Sequence, residues 1–287
     1  MAAEVVIMTI ELGSLGAYLT AAEATAAEAV ALEEAGYGAV WLAASPSADL
    51  LAAERLLDAT SRIVVGTSVL NVWQADADEV AASYHRITGK HAGRLLVGIG
   101  AGHREIDAGY ASPVAKIASY LDALTAAGVP ADRVLLAALG PKMLRLAAER
   151  AAGTLTLQVT PEHTRRAREA LGPGKLVVPG HGVLLDTDAG RARETGRAAV
   201  RPMLGIANYA GNLRRIGYGD QDLAEPVSDR LVDALVLHGD ETAIAAGVRA
   251  ELAAGADHVG LHAMGADPIG VLRAVARAVS EQEILRT

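Results

Sequence analysis

The feature that most constrains this chain is an alternation running its whole length. Short apolar runs rich in β-formers stand at 4–10 (EVVIMTI), 38–44 (GAVWLAA), 62–70 (RIVVGTSVL), 94–100 (RLLVGIG), 133–139 (RVLLAAL), 154–159 (TLTLQV), 175–185 (KLVVPGHGVLL) and 257–264 (DHVGLHAM). Between them lie Ala/Leu/Glu/Arg segments with apolar residues at helical spacing. Gly36 in EEAGYGAVW and Gly255 in LAAGADHVGL mark the end of a helix just before a strand. Strands that are apolar on both faces belong to parallel sheets covered by helices. Eight such strands, each followed by helical sequence, predict an α/β fold of the (β/α)8 TIM barrel type, with a doubly wound sheet as the alternative. One interval breaks the rhythm. About 70 residues separate the seventh and eighth runs, where the repeat needs one helix. Pro, Gly and Asn spaced through RPMLGIANYAGNLRRIGYGDQDL (201–223) suggest short helices joined by tight turns. The expectation is one barrel domain over 1–287, with a helical insertion at 201–240 that covers the site or forms a subunit contact.

Bulk properties remove several function classes. A net charge of -8 and a pI near 5.5 argue against a general nucleic-acid binder, since that affinity rests on clustered Lys and Arg. Cysteine is absent, which excludes disulfides, thiolate metal sites and a Cys nucleophile. The start, MAAEVVIMTIEL, has no basic leader-like region, and no apolar run reaches the roughly 18 residues of a membrane span. A cytoplasmic protein without membrane partners is therefore expected. The chain also has no Phe, and its aromatics are two Trp and seven Tyr. Cores ordinarily rely on Phe, so a non-catalytic or engineered barrel stands as an alternative.

In a barrel, chemistry sits at the C-terminal ends of the strands. By the runs above, those ends present Glu11, then Ala43-Ala44-Ser45, then Thr67, Ser68, Asn71 and Trp73, then GIGAGHRE from Gly98 to Glu105. They continue with Gly140-Pro141-Lys142, Gln158 and Thr160, His181 and Asp186, and His262. The four lysines (90, 116, 142, 175) avoid strand interiors, which weakens a Schiff-base reading. Glu11, Glu105 and Asp186 form no evident pair of the glycosidase kind. His103, His181 and His262 lack the clustered carboxylates and first-strand His pair of a metal-dependent barrel, so no metal is expected. Gly98, Gly100 and Gly102 miss the spacing of a dinucleotide fingerprint; they either make a flexible turn or let backbone approach a flat ligand. Gly140-Pro141-Lys142 suits a helix start, with Pro at its first position. It equally suits an anion site, in which the N–H groups of 142 and 143, the helix dipole and Lys142 act together.

Six segments, in order, resemble one family: ALEEAGYGAVWLAASPSADL (31–50), RIVVGTSVLNVW (62–73), ASYHRITGKHAGRLLVGIGAGH (82–103), ALGPKMLRLAAERAAGT (138–154), VTPEHTRRAREALG (159–172) and SDRLVDALVLHGD (228–240). Together they look like the luciferase-like monooxygenase family, and in particular its actinobacterial branch of coenzyme F420-dependent oxidoreductases. The resemblance implies a cofactor ring at the barrel mouth and a non-prolyl cis peptide at Ser68-Val69. Asn71 would border the ring and Trp73 the substrate, while Gly100, Ala101, Gly102 and His103 line the ring's other flank. Gly140, Pro141, Lys142 and Met143 would hold the phosphate. It further implies hydride exchange with a small-molecule substrate, His103 as proton carrier or as a structural histidine, and a homodimer. FMN is the alternative cofactor, with monooxygenase chemistry; a sugar-phosphate barrel enzyme is a further alternative. Two departures bear on the substrate. Relatives carry an acid or His where this chain has Ala43, Ala44 and Ser45, and TLTLQV lacks the family's Pro and aromatics.

Overall fold

The computed structural model describes residues 10–107 and 110–284. Its first third runs β1 (Leu15–Thr20), α1 (Ala26–Glu34), β2 (Ala39–Ala43), α2 (Leu51–Ala59), β3 (Val64–Ser68), β4 (Leu70–Asn71) and α3 (Ala77–Thr88). The middle holds β5 (Leu95–Gly100), α4 (Pro113–Ala126), β6 (Val134–Ala137), α5 (Pro141–Arg150), β7 (Gly153–Leu157), α6 (Pro161–Leu171) and β8 (Leu176–Leu185). Four helices follow, α7 (Ala189–Leu204), α8 (Ala207–Arg215), α9 (Asp220–Leu223) and α10 (Asp229–Leu235). The chain then makes β9 (Val236–Gly239), α11 (Glu241–Ala253), β10 (Val259–Ala263) and α12 (Pro268–Ile284). Among the described residues, side-chain oxygens of Thr25, Asp76, Thr160, Asp188, Ser228, Asp240 and Asp267 cap helix starts, which is why the strand–helix rhythm is readable in the sequence.

All pairings are parallel. The order β1-β2-β3-β5-β6-β7-β8 closes through β10, which pairs with both β8 and β1. This is the eight-stranded (β/α)8 barrel the alternation predicts. Three details differ from the sequence reading. The first barrel strand is Leu15–Thr20, not 4–10; residues 4–9 lie outside the described residues, and exposed Glu11 precedes β1 at the opposite end from the mouth. The expected helical insertion is not wholly helical, because Val236–Gly239 pair along Gly182–Leu185 of β8. The third run is also two strands. The Ser68-Val69 peptide is cis, and beyond it Leu70 and Asn71 continue along β5 opposite Ile99 and Gly100.

The barrel interior shows how a Phe-free chain fills a core. Trp41 is fully buried near the base, and its indole N–H donates to Nε2 of His258 at 3.0 Å. His258 Nδ1 faces the Gly13 carbonyl at 2.9 Å, so the ring is the neutral Nδ1–H tautomer, and burial holds its pKa down to about 4. Glycines make the room. A Cβ on Gly66 would lie 2.3 Å from the Trp41 ring, and one on Gly16 would lie 2.2 Å from His258 Nε2. One layer higher, Tyr18 fills the space left by Gly180 and Gly260, where a Cβ would come within 2.8 and 2.1 Å of its ring. Outside the sheet, Leu32, Leu56, Leu57, Ile87 and Val248 from the helices pack on Val40, Leu42, Val65 and Ile99.

Candidate functional site

Above Tyr18 the inward positions become small. Ser68 ends β3, Gly100 ends β5 and Ala137 ends β6, and these residues floor a cavity of about 670 Å³ at the C-terminal mouth. Val69 turns in over Gly100, where a Cβ would sit 2.6 Å from Val69 Cγ2 and 3.3 Å from Ala137 Cβ. A side chain at residue 100 would therefore fill the floor itself. Ala44 and Ser45 also line the cavity, with φ of 60° and 52°. Left-handed backbone at two successive non-glycine residues is uncommon, and here it turns the end of β2 across the mouth.

The loop after β5 forms the second wall, held by an internal carboxylate. Asp107 accepts from Asn71 Nδ2 (2.7 Å), Gln74 Nε2 (3.3 Å) and the His103 backbone N–H (2.7 Å). Gly102 makes this possible, because its φ is +60° and a Cβ there would lie 2.0 Å from Asp107 Oδ2. The glycine is thus required by the turn and by the carboxylate packed against it. His103 projects beside Tyr209 of α8, with ring centroids 5.6 Å apart. Burial lowers the His103 pKa below its ordinary value, against the opposing influence of Asp107, Glu105 and a hydrogen bond with Asn208. The imidazole is consequently neutral at pH 7 and able to accept a proton.

The third wall is the start of α5. Gly140 is extended (φ −98°, ψ 158°), has no side-chain cap, and is followed by Pro141 at the first helical position. The Met143 N–H is turned inward to the Gly140 carbonyl at 3.1 Å. Of the two N–H groups expected for an anion, only that of Lys142 is left over among the described residues. The balance is made up by a group the sequence reading missed. Arg215, at the end of α8, reaches within 3.9 Å of where a Gly140 Cβ would stand, and it lines the same cavity as Lys142. Helix start and anion site coexist, since an uncapped N-terminus with two cations beside it favours negative charge.

Eleven of the twelve expected site residues line this one cavity: His103, Ser68, Val69, Asn71, Gly100, Ala101, Gly102, Gly140, Pro141, Lys142 and Met143. Trp73 does not. Its indole N–H donates to the Ala101 carbonyl (2.7 Å), the Lys116 ammonium lies 5.2 Å from its ring centre, and it borders a separate cavity of about 310 Å³. It braces the wall from behind, because the side chain follows the turn made by Asn71 accepting the Trp73 N–H (3.0 Å). Two other strand-end residues also fall away. His181 points out of the barrel and pairs with buried Glu251 at 3.0 Å, and Asp186 is engaged by Arg191. Among the described residues no His/Cys/Asp/Glu group could hold a metal ion. Asn208, Tyr209 and Arg215 were not foreseen either. Asn208 and Arg215, seven apart, share a helical face and Tyr209 adjoins it, but only docking of α8 brings them to the mouth.

The cavity suits a planar ring carrying a phosphate. Its floor is small side chains and backbone, and the α5 start with Lys142 and Arg215 makes one end cationic. One buried hydroxyl at the cavity has no protein partner, Thr156 Oγ1, whose residue lines it; the Tyr18 hydroxyl below is engaged by Ser68. Orphaned polar atoms of this kind are normally satisfied by water or ligand.

Comparison with known proteins agrees with this geometry. The luciferase-like monooxygenase family model matches residues 4–127, which carry the first three of the six segments singled out in the sequence. No curated protein matches the chain. Solved structures superpose over almost the whole barrel at low identity. The coenzyme F420-dependent tetrahydromethanopterin reductase of Methanopyrus kandleri is 16% identical, with a TM-score of 0.68 over 94% of this chain and 99% of its own. An F420-dependent secondary alcohol dehydrogenase in complex with an F420-acetone adduct is 14% identical, with a TM-score of 0.72 over 94% of this chain and 99% of its own. The oxygenating constituent of 3,6-diketocamphane monooxygenase from Pseudomonas putida, in complex with FMN, is 14% identical, with a TM-score of 0.65 over 90% of this chain and 92% of its own. The family match spans residues 4–127, and these solved structures share the barrel fold over almost the whole chain.

Proposed function

We propose that this chain is an oxidoreductase that exchanges a hydride between coenzyme F420 and a small organic substrate. One observation carries the reading. A flat floor of Ser68, Gly100 and Ala137, the cis Ser68-Val69 bulge and a cationic helix start meet in a single cavity, with His103 over it. Bound there, the deazaflavin supplies the hydride donor or acceptor, which no amino-acid side chain can replace. The remaining steps belong to the protein. Val69 and the 100–102 backbone would support the ring, and Lys142, Arg215 and the α5 N-terminus would hold the phosphate. His103, kept neutral by burial, would accept the proton of a substrate hydroxyl during oxidation and return it in the reverse direction. Asp107 keeps the His103 backbone in place without itself touching substrate.

FMN is the second reading, supported by the FMN-bound neighbour and by a phosphate end that would serve either cofactor. Binding separates the two. Fluorescence titration should show the deazaflavin bound at least about tenfold more tightly than FMN, a difference of about 1.4 kcal/mol. Tight FMN binding with no measurable deazaflavin binding would overturn the proposal in favour of a flavin monooxygenase. A small sugar phosphate binding more tightly than either would replace both. We further propose a cytoplasmic homodimer, which light scattering in dilute buffer would test; a monomeric mass would refute that part alone.

A further inference from the structure

The cavity has two ends of different character. Lys142 and Arg215 make one end cationic. The other end, between the loop after β5 and the first turn of α4, is lined by Ile106, Tyr110, Pro113 and Val114. Ile106 is 69% exposed, more than Leu51 (54%) or Leu185 (41%), the other large apolar side chains left uncovered among the described residues. A side chain of this size held open to solvent beside a cavity gains most when a ligand covers it.

Charge at this end is already accounted for. Asp107 is the only carboxylate lining the cavity among the described residues, and its oxygens serve Asn71, Gln74 and the His103 N–H. A cationic substrate would find no free counter-ion. The nearby cations are also occupied, with Arg104 5.7 Å from the Tyr110 ring centre and Lys116 5.2 Å from that of Trp73, and neither lines the cavity. A carboxylate placed here would find no cation among the residues lining this end, and covering Ile106 would strip it of water without a partner. What remains polar is His103, with Tyr209 and Asn208 beside it on α8.

Building on the function proposed above, we infer that this end takes an uncharged molecule with an apolar body and one oxygen. The body packs on Ile106, Tyr110 and Val114, and the oxygen is held between His103 and Tyr209. Tyr209 is then a specificity residue delivered by the insertion.

Three probes sharing one ring test this on the full chain at pH 7 without cofactor: cyclohexanol, cyclohexylamine and cyclohexanecarboxylate, followed by ligand-observed NMR. Cyclohexanol should bind at least tenfold more tightly than either charged probe. Ile106→Asp should weaken cyclohexanol fivefold or more and reverse its advantage over the amine, and Tyr209→Phe should weaken cyclohexanol threefold to tenfold. Equal or tighter binding of a charged probe, or indifference to both substitutions, would overturn the inference. Deazaflavin affinity, titrated separately, keeps the two proposals apart. Its failure with cyclohexanol preference intact removes the cofactor reading only, whereas normal deazaflavin affinity without that preference removes the substrate reading only.

Discussion

The base and the mouth of this barrel both use glycine, with opposite results. At the base, Gly16 and Gly66 are notches filled from within by Trp41 and His258, and higher up Gly180 and Gly260 are filled by Tyr18. At the mouth no ring faces the glycine: Gly100 is covered only by Val69, and with Ala137 beside it forms the floor of a cavity. The same absence of a side chain supports packing where a large aromatic faces it, and creates a binding site where none does. With no Phe in the chain, the layers that are closed are closed by few large rings. Stability and binding should therefore separate along the barrel axis.

Trp41→Ala breaks the contrast most severely. It empties the base and leaves His258 Nε2 without its donor, so a loss of about 3–5 kcal/mol is expected from denaturant unfolding. Deazaflavin affinity should stay unchanged wherever the variant remains folded. Acid attacks next, at the base through His258 and on α6 through His163. Burial lowers both His258 and His163 to about 4. The unfolded chain then binds the extra protons first. Their contribution is complete above the unfolded value near 6.5 and is lost as pH falls from there toward 4, at about 3 kcal/mol for each histidine. Unfolding midpoints measured from pH 7 to 4 should fall steeply, and His163→Gln should remove part of that slope; a flat profile would contradict the neutral assignment.

At the mouth the expected effects move to binding. Ala137→Leu, which grows a side chain into the cavity floor, should lower deazaflavin affinity at least about tenfold while changing stability by less than about 1 kcal/mol. Lys142→Glu is smaller and salt-sensitive. A three- to tenfold loss of affinity at low ionic strength should shrink as salt is added, with the melting temperature unmoved. The proton role of His103 gives the mildest signature. The rate of substrate oxidation should rise with pH through an apparent pKa below 6.5 and be level at pH 7, and a profile still rising above pH 8 would assign the base elsewhere.

Much of the site was legible because it lies on strand ends that the alternation locates. Ser68, Gly100 and Gly140 each close an apolar run, and the resemblance attached a role to each. Trp73 was misplaced because a position two residues past Asn71 does not reveal which way the turn throws its ring. The first strand was misplaced because EVVIMTI is the stronger apolar run, whereas LGAYLT reads weakly through Gly16. That glycine is needed only because Trp41 and His258 occupy the space beside it.

The chain by itself determined the strand–helix period, the caps that start the helices, the parallel barrel and the positions of its mouth, because these follow from local spacing and propensity. Tertiary structure alone decided which glycines would face a large ring and which only Val69, that Asp107 would be engaged by Asn71 and the His103 N–H, and that Asn208, Tyr209 and Arg215 would cross from an insertion to complete the cavity. Those outcomes depend on contacts between residues far apart in the chain. Arg215 and Gly140 meet only because the end of α8 is held on α6, where Arg166 donates to the Arg215 carbonyl, and no local pattern encodes that placement.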